Sequence, residues 1–208
     1  MNLFPSKSYE TGEEYCDDYL ARLIQATASI DRKAIGRAAE LIERAVLAGA
    51  RIFSLGNGGS AAIANHLTCD FIKGIATGTG LRPKVQSLSE AIALMTAISN
   101  DVAYEDVFAG QLAALAEPGD LIIAISSSGN SPNIIKALAW ARAAGVGSIA
   151  MTGFSGGAAA GLADVNLHVE AANYGLVEDL HQSMMHLLAQ YVRQRHQIDP
   201  TVLGRAKF

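Results

Sequence analysis

The sequence predicts an α/β fold: a doubly wound parallel sheet with helices on both faces, preceded by a helical N-terminal extension. Three observations carry this. The first fifty residues show helical spacing only. From Arg51 onward, short apolar runs alternate with stretches of helical periodicity, the pattern of a parallel sheet with crossover helices. Two loops of unusual composition, Gly56–Ser60 and Ser126–Ser131, each lie between a strand and a helix, and in such sheets ligands gather at the carboxyl ends of the strands.

Taken in order, Tyr19, Leu20, Leu23 and Ile24 recur at helical spacing, followed by Ile35, Ala38, Ala39, Leu41, Ile42, Val46 and Leu47. Asp31 reads as the N-cap of the second helix, and Gly49 lies near its end. Both helices carry apolar residues over a broader arc than one small sheet hides, so subunit contact is the expected use of the surplus. Arg51–Leu55 is a strand, and a helix follows from about Ala61 to Phe71. Lys84–Leu88 is the next strand, and Glu90–Ile98 is a helix stopped at Ser99–Asn100–Asp101. Tyr104–Leu115 reads as helical, and Glu117–Pro118–Gly119–Asp120 as a turn. Leu121–Ile125 is a strongly β-type run, and Pro132 sits in the first turn of a helix reaching about Ala144. Ser148–Thr152 and Val165–Val169 complete the strands, and a long helix covers roughly Leu176–Arg195. With no internal repeat and no linker, residues 1–208 read as one domain, with helices over 1–50 and an α/β core over 51–208.

Half of the 208 residues are hydrophobic and 17% are charged, enough for a sizeable core. The net charge is −4, and the short Arg193–Arg195–His196 run is the only basic feature, which argues against nucleic acid as the main ligand. No apolar run approaches the ~20 residues of a membrane span. Nothing at Met1–Tyr9 resembles a signal peptide, and two cysteines, Cys16 and Cys69, are no disulfide framework. The expectation is a cytoplasmic protein without a membrane partner, in which Cys69 serves as a small core residue.

Leu121–Ile125 runs straight into Ser126–Ser–Ser–Gly–Asn–Ser131, four serines in six residues ahead of a Pro-started helix. Hydroxyls, backbone N–H groups and the positive end of the helix together suit an anion, and no cation is required. Gly129 allows positive φ and close approach to a ligand. No Gly-Lys-Ser/Thr follows, so this is not a Walker A loop. The ordinary alternative is a strand-to-helix turn with serine caps. The second loop, Gly56–Asn57–Gly58–Gly59–Ser60, is by itself weak support for a dinucleotide site, since no acidic residue is clearly placed about 20 positions on. Two such loops at equivalent strand ends are more telling: one to hold phosphate, the other to meet sugar hydroxyls through Asn57 and backbone amides.

GNGGS, then ISSSGNSPNIIKAL, then MTG resemble the sugar isomerase (SIS) family, and its phosphoheptose isomerase branch in particular, over nearly the whole chain. The resemblance implies a SIS-type fold and an aldose–ketose isomerase acting on sedoheptulose 7-phosphate. It further implies a homotetramer with sites at subunit interfaces. Phosphate falls to Ser126, Ser127, Ser128 and Ser131, and the sugar to Asn57, Gly58, Gly59 and the Asn100–Asp101 pair. The alternative within the same family is a non-catalytic sugar-phosphate-binding module of the kind that regulates replication initiation.

His66 and Asp70 are four residues apart on a predicted helix and so share a face. Glu178 and His186 lie on the last helix, whose Leu180, Met184, Leu187 and Tyr191 mark the opposite, packed side. Sequence alone does not bring these helices together. The resemblance does: phosphoheptose isomerases carry His-x-x-x-Glu on the first helix and Gln-x7-His on the last, which bind zinc and supply the base and the acid. The matching residues are His66, Asp70, Glu178 and His186, so Asp70 stands for Glu and Glu178 for Gln. Both changes keep oxygen ligands, and Zn²⁺ stays the implied cofactor. Residues eight apart on a helix are ~12 Å apart along its axis, so Glu178 and His186 share a metal only by reaching toward it from both ends. Asp70 and Glu178 both remain open as the base.

Overall fold

The computed structural model describes residues 3–205; residues 1–2 and 206–208 of the range drawn from the sequence lie outside the described residues. Five strands, β1 (Arg51–Gly56), β2 (Lys84–Ser87), β3 (Leu121–Ser126), β4 (Gly147–Thr152) and β5 (Val165–His168), form one sheet in the order β2-β1-β3-β4-β5. Every pairing is parallel. Side chains on a strand alternate between faces, and the chain uses that alternation to build two cores. Ile52, Leu121, Ile123, Ile125, Ile149 and Met151 enter one; Phe53, Leu55, Ile122, Ala124 and Ala150 enter the other.

Helices α2 (Arg32–Leu47), α3 (Gly59–Cys69) and α8 (Tyr174–Arg195) cover the first core. Helices α5 (Ala109–Leu115), α6 (Pro132–Ala143) and α7 (Gly157–Leu162) cover the second. The doubly wound prediction holds. Asp31 caps α2 by accepting from the Lys33 amide at 2.8 Å, and Asn173 caps α8 by accepting from Leu176 at 3.0 Å. Helix α7 escaped the sequence reading because a Gly/Ala run shows no apolar periodicity.

Three boundaries differ from expectation. The α3 helix does not run unchanged to Phe71: at Asp70 it widens into a π-helical turn over Asp70–Ile75. Tyr104–Leu115 is not one helix but a 3₁₀ turn, Tyr104–Asp106, followed by α5 from Ala109. Lys136 of α6 holds that turn through Asp106 at 2.8 Å and Glu105 at 3.3 Å. The predicted helix at Glu90–Ile98 starts later and includes the expected stop, as α4 (Ile92–Asp101), and none of its residues is buried.

The N-terminal helices behave differently from each other. Helix α2 buries Ala34, Ala38, Ala39, Ile42, Ala45 and Val46, whereas α1 (Gly12–Ala28) buries only Ala26 and leaves Ile24 73% exposed. On α8, Leu180 and Met184 are buried as expected, but Leu187 and Tyr191 are 48% and 43% exposed. They sit one helical step off the packed stripe of Val177, Leu180, Met184, Leu188 and Val192. Cys69 is exposed rather than a core residue. No helix among the described residues is long and apolar enough to cross a membrane.

Candidate active site

All five strands point the same way, so their carboxyl ends share an edge. Strand β1 leads to β2 on one side, while β3 leads to β4 on the other. The order therefore reverses between β1 and β3, where neighbouring loops diverge and leave a crevice. The loop after β1 is Asn57–Gly58 and the loop after β3 is Ser127–Ser131, with Gly56 registered against Ile125. Both unusual sequences thus flank one crevice.

A cleft of about 350 Å³ opens there, lined by Asn57, Gly58, Gly59 and Ser60 from the first loop and Ser126, Ser127, Ser128 and Ser131 from the second. Tyr174 and Glu178 of α8 complete it. The N-termini of α3 and α6 face it without a side-chain cap: neither Gly58 nor Ser131 makes a capping hydrogen bond. Their first-turn N–H groups keep their positive ends for a ligand. The Ser127 hydroxyl is buried and without a partner.

The serine loop is held from behind by the chain from the end of β4 into the first turn of α7. Gly153 N donates to Ser127 O at 2.8 Å, Ala159 N to Gly129 O at 3.0 Å, and Ala158 N to Asn130 Oδ1 at 3.1 Å. Gly129 has φ +65°, and a Cβ there would overlap the Gly156 carbonyl, so the position needs glycine for both backbone shape and room.

The second half of the site is made of helix side chains. Asp70 lies at the end of α3 and His186 on α8, and His186 Nδ1 is 2.5 Å from Asp70 Oδ2. His66 Nε2 is 3.2 Å from Asp70 Oδ1. A carboxylate only accepts, so the His186 Nδ1 proton points at Asp70. On the far side of the rings, Gln182 Nε2 reaches His186 Nε2 at 2.8 Å and His66 Nδ1 at 3.3 Å. Donor atoms of His66, Asp70 and His186 lie within 4.8 Å of one another. Two imidazoles and a carboxylate at that separation fit a divalent cation such as zinc.

Glu178 is not among the three converging residues; its carboxylate lines the serine cleft instead. It forms no hydrogen bond or ion pair among the described residues. Burial, and secondarily the charge of Asp179, hold its pKa above the ordinary glutamate value. Asp179 itself accepts from Tyr19 Oη at 2.5 Å. His181, fully buried, contacts the Thr152 carbonyl through Nε2 at 3.1 Å, and burial pushes its pKa down to about 4. It stays neutral and ties α8 to the end of β4.

A match to the SIS domain family spans residues 14–153. The chain is 42% identical to a phosphoheptose isomerase of Nitratidesulfovibrio vulgaris over 68% of each chain. It is 34% identical to a probable phosphoheptose isomerase of Thermoplasma acidophilum over 85% of this chain and 97% of the relative. Solved phosphoheptose isomerases of Neisseria gonorrhoeae and Francisella tularensis superpose with TM-scores of 0.80 and 0.81 at 30% identity. Each covers 88% of this chain, and 98% and 99% of the solved chains are matched. The chain belongs to the SIS family, in its phosphoheptose isomerase branch.

As a SIS domain, it keeps the two loops together, but other residues named from sequence fall elsewhere. Asn100 and Asp101 end α4, exposed and outside the cleft lining, with Asn100 Nδ2 donating to Asp101 Oδ1 at 2.8 Å. The SIS match stops before α8, the helix that carries Glu178, Gln182 and His186. Gln182 and Tyr174 were missed. The signal for Gln182 was its place midway between Glu178 and His186, at i+4 from one and i−4 from the other.

Proposed function

We propose that this phosphoheptose isomerase relative interconverts sedoheptulose 7-phosphate and an aldoheptose 7-phosphate, with Glu178 as the base. One observation carries the reading. Glu178, Gln182 and His186 form a single stripe on α8, so a carboxylate in the phosphate cleft and an imidazole–carboxylate pair lie along one face. A module that only binds needs no such set.

Ser126, Ser127, Ser128 and Ser131 hold the phosphate with the α6 N-terminus, and a bound anion gives the Ser127 hydroxyl its missing partner. Glu178 takes the proton from C1 of the ketose and returns it to C2 of the enediol. Desolvation makes its carboxylate a stronger base than an exposed glutamate, and nothing else competes for it. His186, starting as the imidazolium with its Nδ1 proton on Asp70, gives its Nε2 proton to the C2 oxygen and regains one from the C1 hydroxyl. Asp70, with both oxygens engaged by imidazoles, is the less suited of the two carboxylates to abstract a proton. When His66, Asp70 and His186 hold zinc, the ion would supply a Lewis acid at the sugar oxygens in place of the His186 proton.

The further readings are a single domain over 1–208, a cytoplasmic setting and a homotetramer. Exposed Ile24, Ile72, Leu187 and Tyr191 support the last. Asn100 and Asp101 then meet sugar only across a subunit boundary. A monomeric mass in light scattering at micromolar concentration would remove it. The function is tested by incubating the protein with C5–C7 ketose phosphates, with and without chelator, and following aldose formation. Turnover confined to the seven-carbon ketose is expected; binding without turnover of any sugar phosphate replaces the enzyme by a binding module.

A further inference from the structure

The residue that looked most like a sugar contact is engaged elsewhere. Asn57 Nδ2 donates to Asn133 Oδ1 at 2.9 Å, and Asn133 Nδ2 donates back to Asn57 Oδ1 at 3.0 Å. Tyr104 Oη donates to the same Asn57 oxygen at 2.8 Å. A side-chain amide offers two donors and one carbonyl; the Asn57 carbonyl already accepts two hydrogen bonds, and one of its two N–H groups is used. Asn133 is 1% exposed, so breaking the pair leaves polar groups without water to replace it.

These three residues belong to three different segments. Asn57 is in the glycine loop after β1. Asn133 is in the first turn of α6, directly behind the serine loop. Tyr104 opens the 3₁₀ turn that follows α4, a turn already tied to α6 through Lys136. The reciprocal amide pair is thus a side-chain bridge across the mouth of the crevice between β1 and β3. Backbone pairing ends at Gly56 and Ile125, so beyond that point the pair takes over the spacing of the two loops.

We infer that Asn133 is a positioning residue for the phosphate cleft: through Asn57 it fixes the separation of the glycine and serine loops, and Tyr104 locks the Asn57 amide in place. In this role Asn57 acts on the phosphate through loop spacing, not on the sugar through its own amide. The inference rests on the phosphate reading of the cleft given above.

The two roles give different results with inorganic phosphate, which has no sugar. If the pair sets the cleft, Asn57→Ala and Asn133→Ala each weaken binding of inorganic phosphate and of sugar phosphate in parallel, by about 10-fold. The double variant is then no worse than either single one, because one bridge is lost in all three cases. KM rises, while kcat stays within about 3-fold. Tyr104→Phe, at an exposed side chain, gives a smaller loss in the same direction.

Calorimetric titration of phosphate, with thermal melting as the control for folding, reads these outcomes. Asn57→Ala that weakens sugar phosphate yet leaves inorganic phosphate untouched overturns the inference, as does additivity in the double variant. Asn133→Ala binding phosphate as well as the wild type overturns it too. Should Asn133→Ala not fold, Asn57→Ala, at a half-buried position, decides the same question. A wild-type protein that binds neither ligand removes the phosphate reading itself, and the inference with it, which is distinguishable from the cases above.

Discussion

The two halves of the site are held in opposite ways. The serine cleft is backbone work: its loop leaves a fully buried strand, is clamped by amides from the β4–α7 chain, and carries no titratable group. The His66–Asp70–His186 cluster is side-chain work on two helices, with side-chain exposures of 48%, 23% and 37%. Rigid backbone donors keep their aim whatever the pH. Imidazoles and carboxylates on helix faces respond to pH, to metal and to the packing of α8. With the roles proposed above, binding and proton transfer would be separable.

The largest expected effect comes from Glu178, which stands in the serine cleft but serves proton transfer in the proposed reaction. Glu178→Gln lowers turnover by about 10²–10⁴-fold, with sugar-phosphate affinity nearly unchanged, as measured by aldose formation and by titration. The raised pKa adds a pH signature. Below it the base is protonated, so kcat/KM falls as pH drops through a value above the ordinary glutamate 4.5. Retained turnover in Glu178→Gln would return the base role to Asp70, and Asp70→Glu then raises activity rather than crowding the site.

The next effect concerns the joint between the halves. His181 is held neutral, its pKa lowered from 6.5 to about 4, while the unfolded chain titrates normally. Between those values the unfolded state binds the extra proton, so stability is complete above 6.5 and is lost as pH falls toward 4. The loss is about 3 kcal/mol, and His181→Gln flattens that part of the profile. Denaturant melts at pH 7 and pH 5 check it; equal slopes for parent and variant would refute the assignment.

The smallest effect sharpens the first half. Ser128→Ala weakens sugar-phosphate binding by about 1–2 kcal/mol and leaves melting unchanged. A calorimetric titration in which Ser126, Ser128 and Ser131 variants all bind normally would remove phosphate from this loop.

The contrast also explains what was legible in the chain. Leu121–Ile125 and Ser126–Ser131 are contiguous, so strand, anion loop and Pro-started helix could be read in a single pass, and the alternation of strands and helices gave the sheet. The side-chain cluster joins Asp70 to His186, residues 116 positions apart, and their meeting depends on how α8 crosses α3. Periodicity cannot convey that. Reading Leu187 and Tyr191 as packed failed for a related reason: hydrophobicity marks a residue as apolar, not as covered. Asn57 and Glu178 both line the cleft between the two loops, but the partner of Asn57, and Glu178's place outside the cluster, required three-dimensional neighbours.

Gly59 shows how far such neighbourhood reaches. Its φ is not positive, so glycine is not needed there for backbone shape; a Cβ would instead overlap the carboxylate of Glu178. The two positions, 119 residues apart in the chain, occupy one volume between them. A descendant that gains even a methyl group at 59 must move or shorten its acid at 178. A side chain gained at 59 would thus be felt first as a displaced carboxylate at 178.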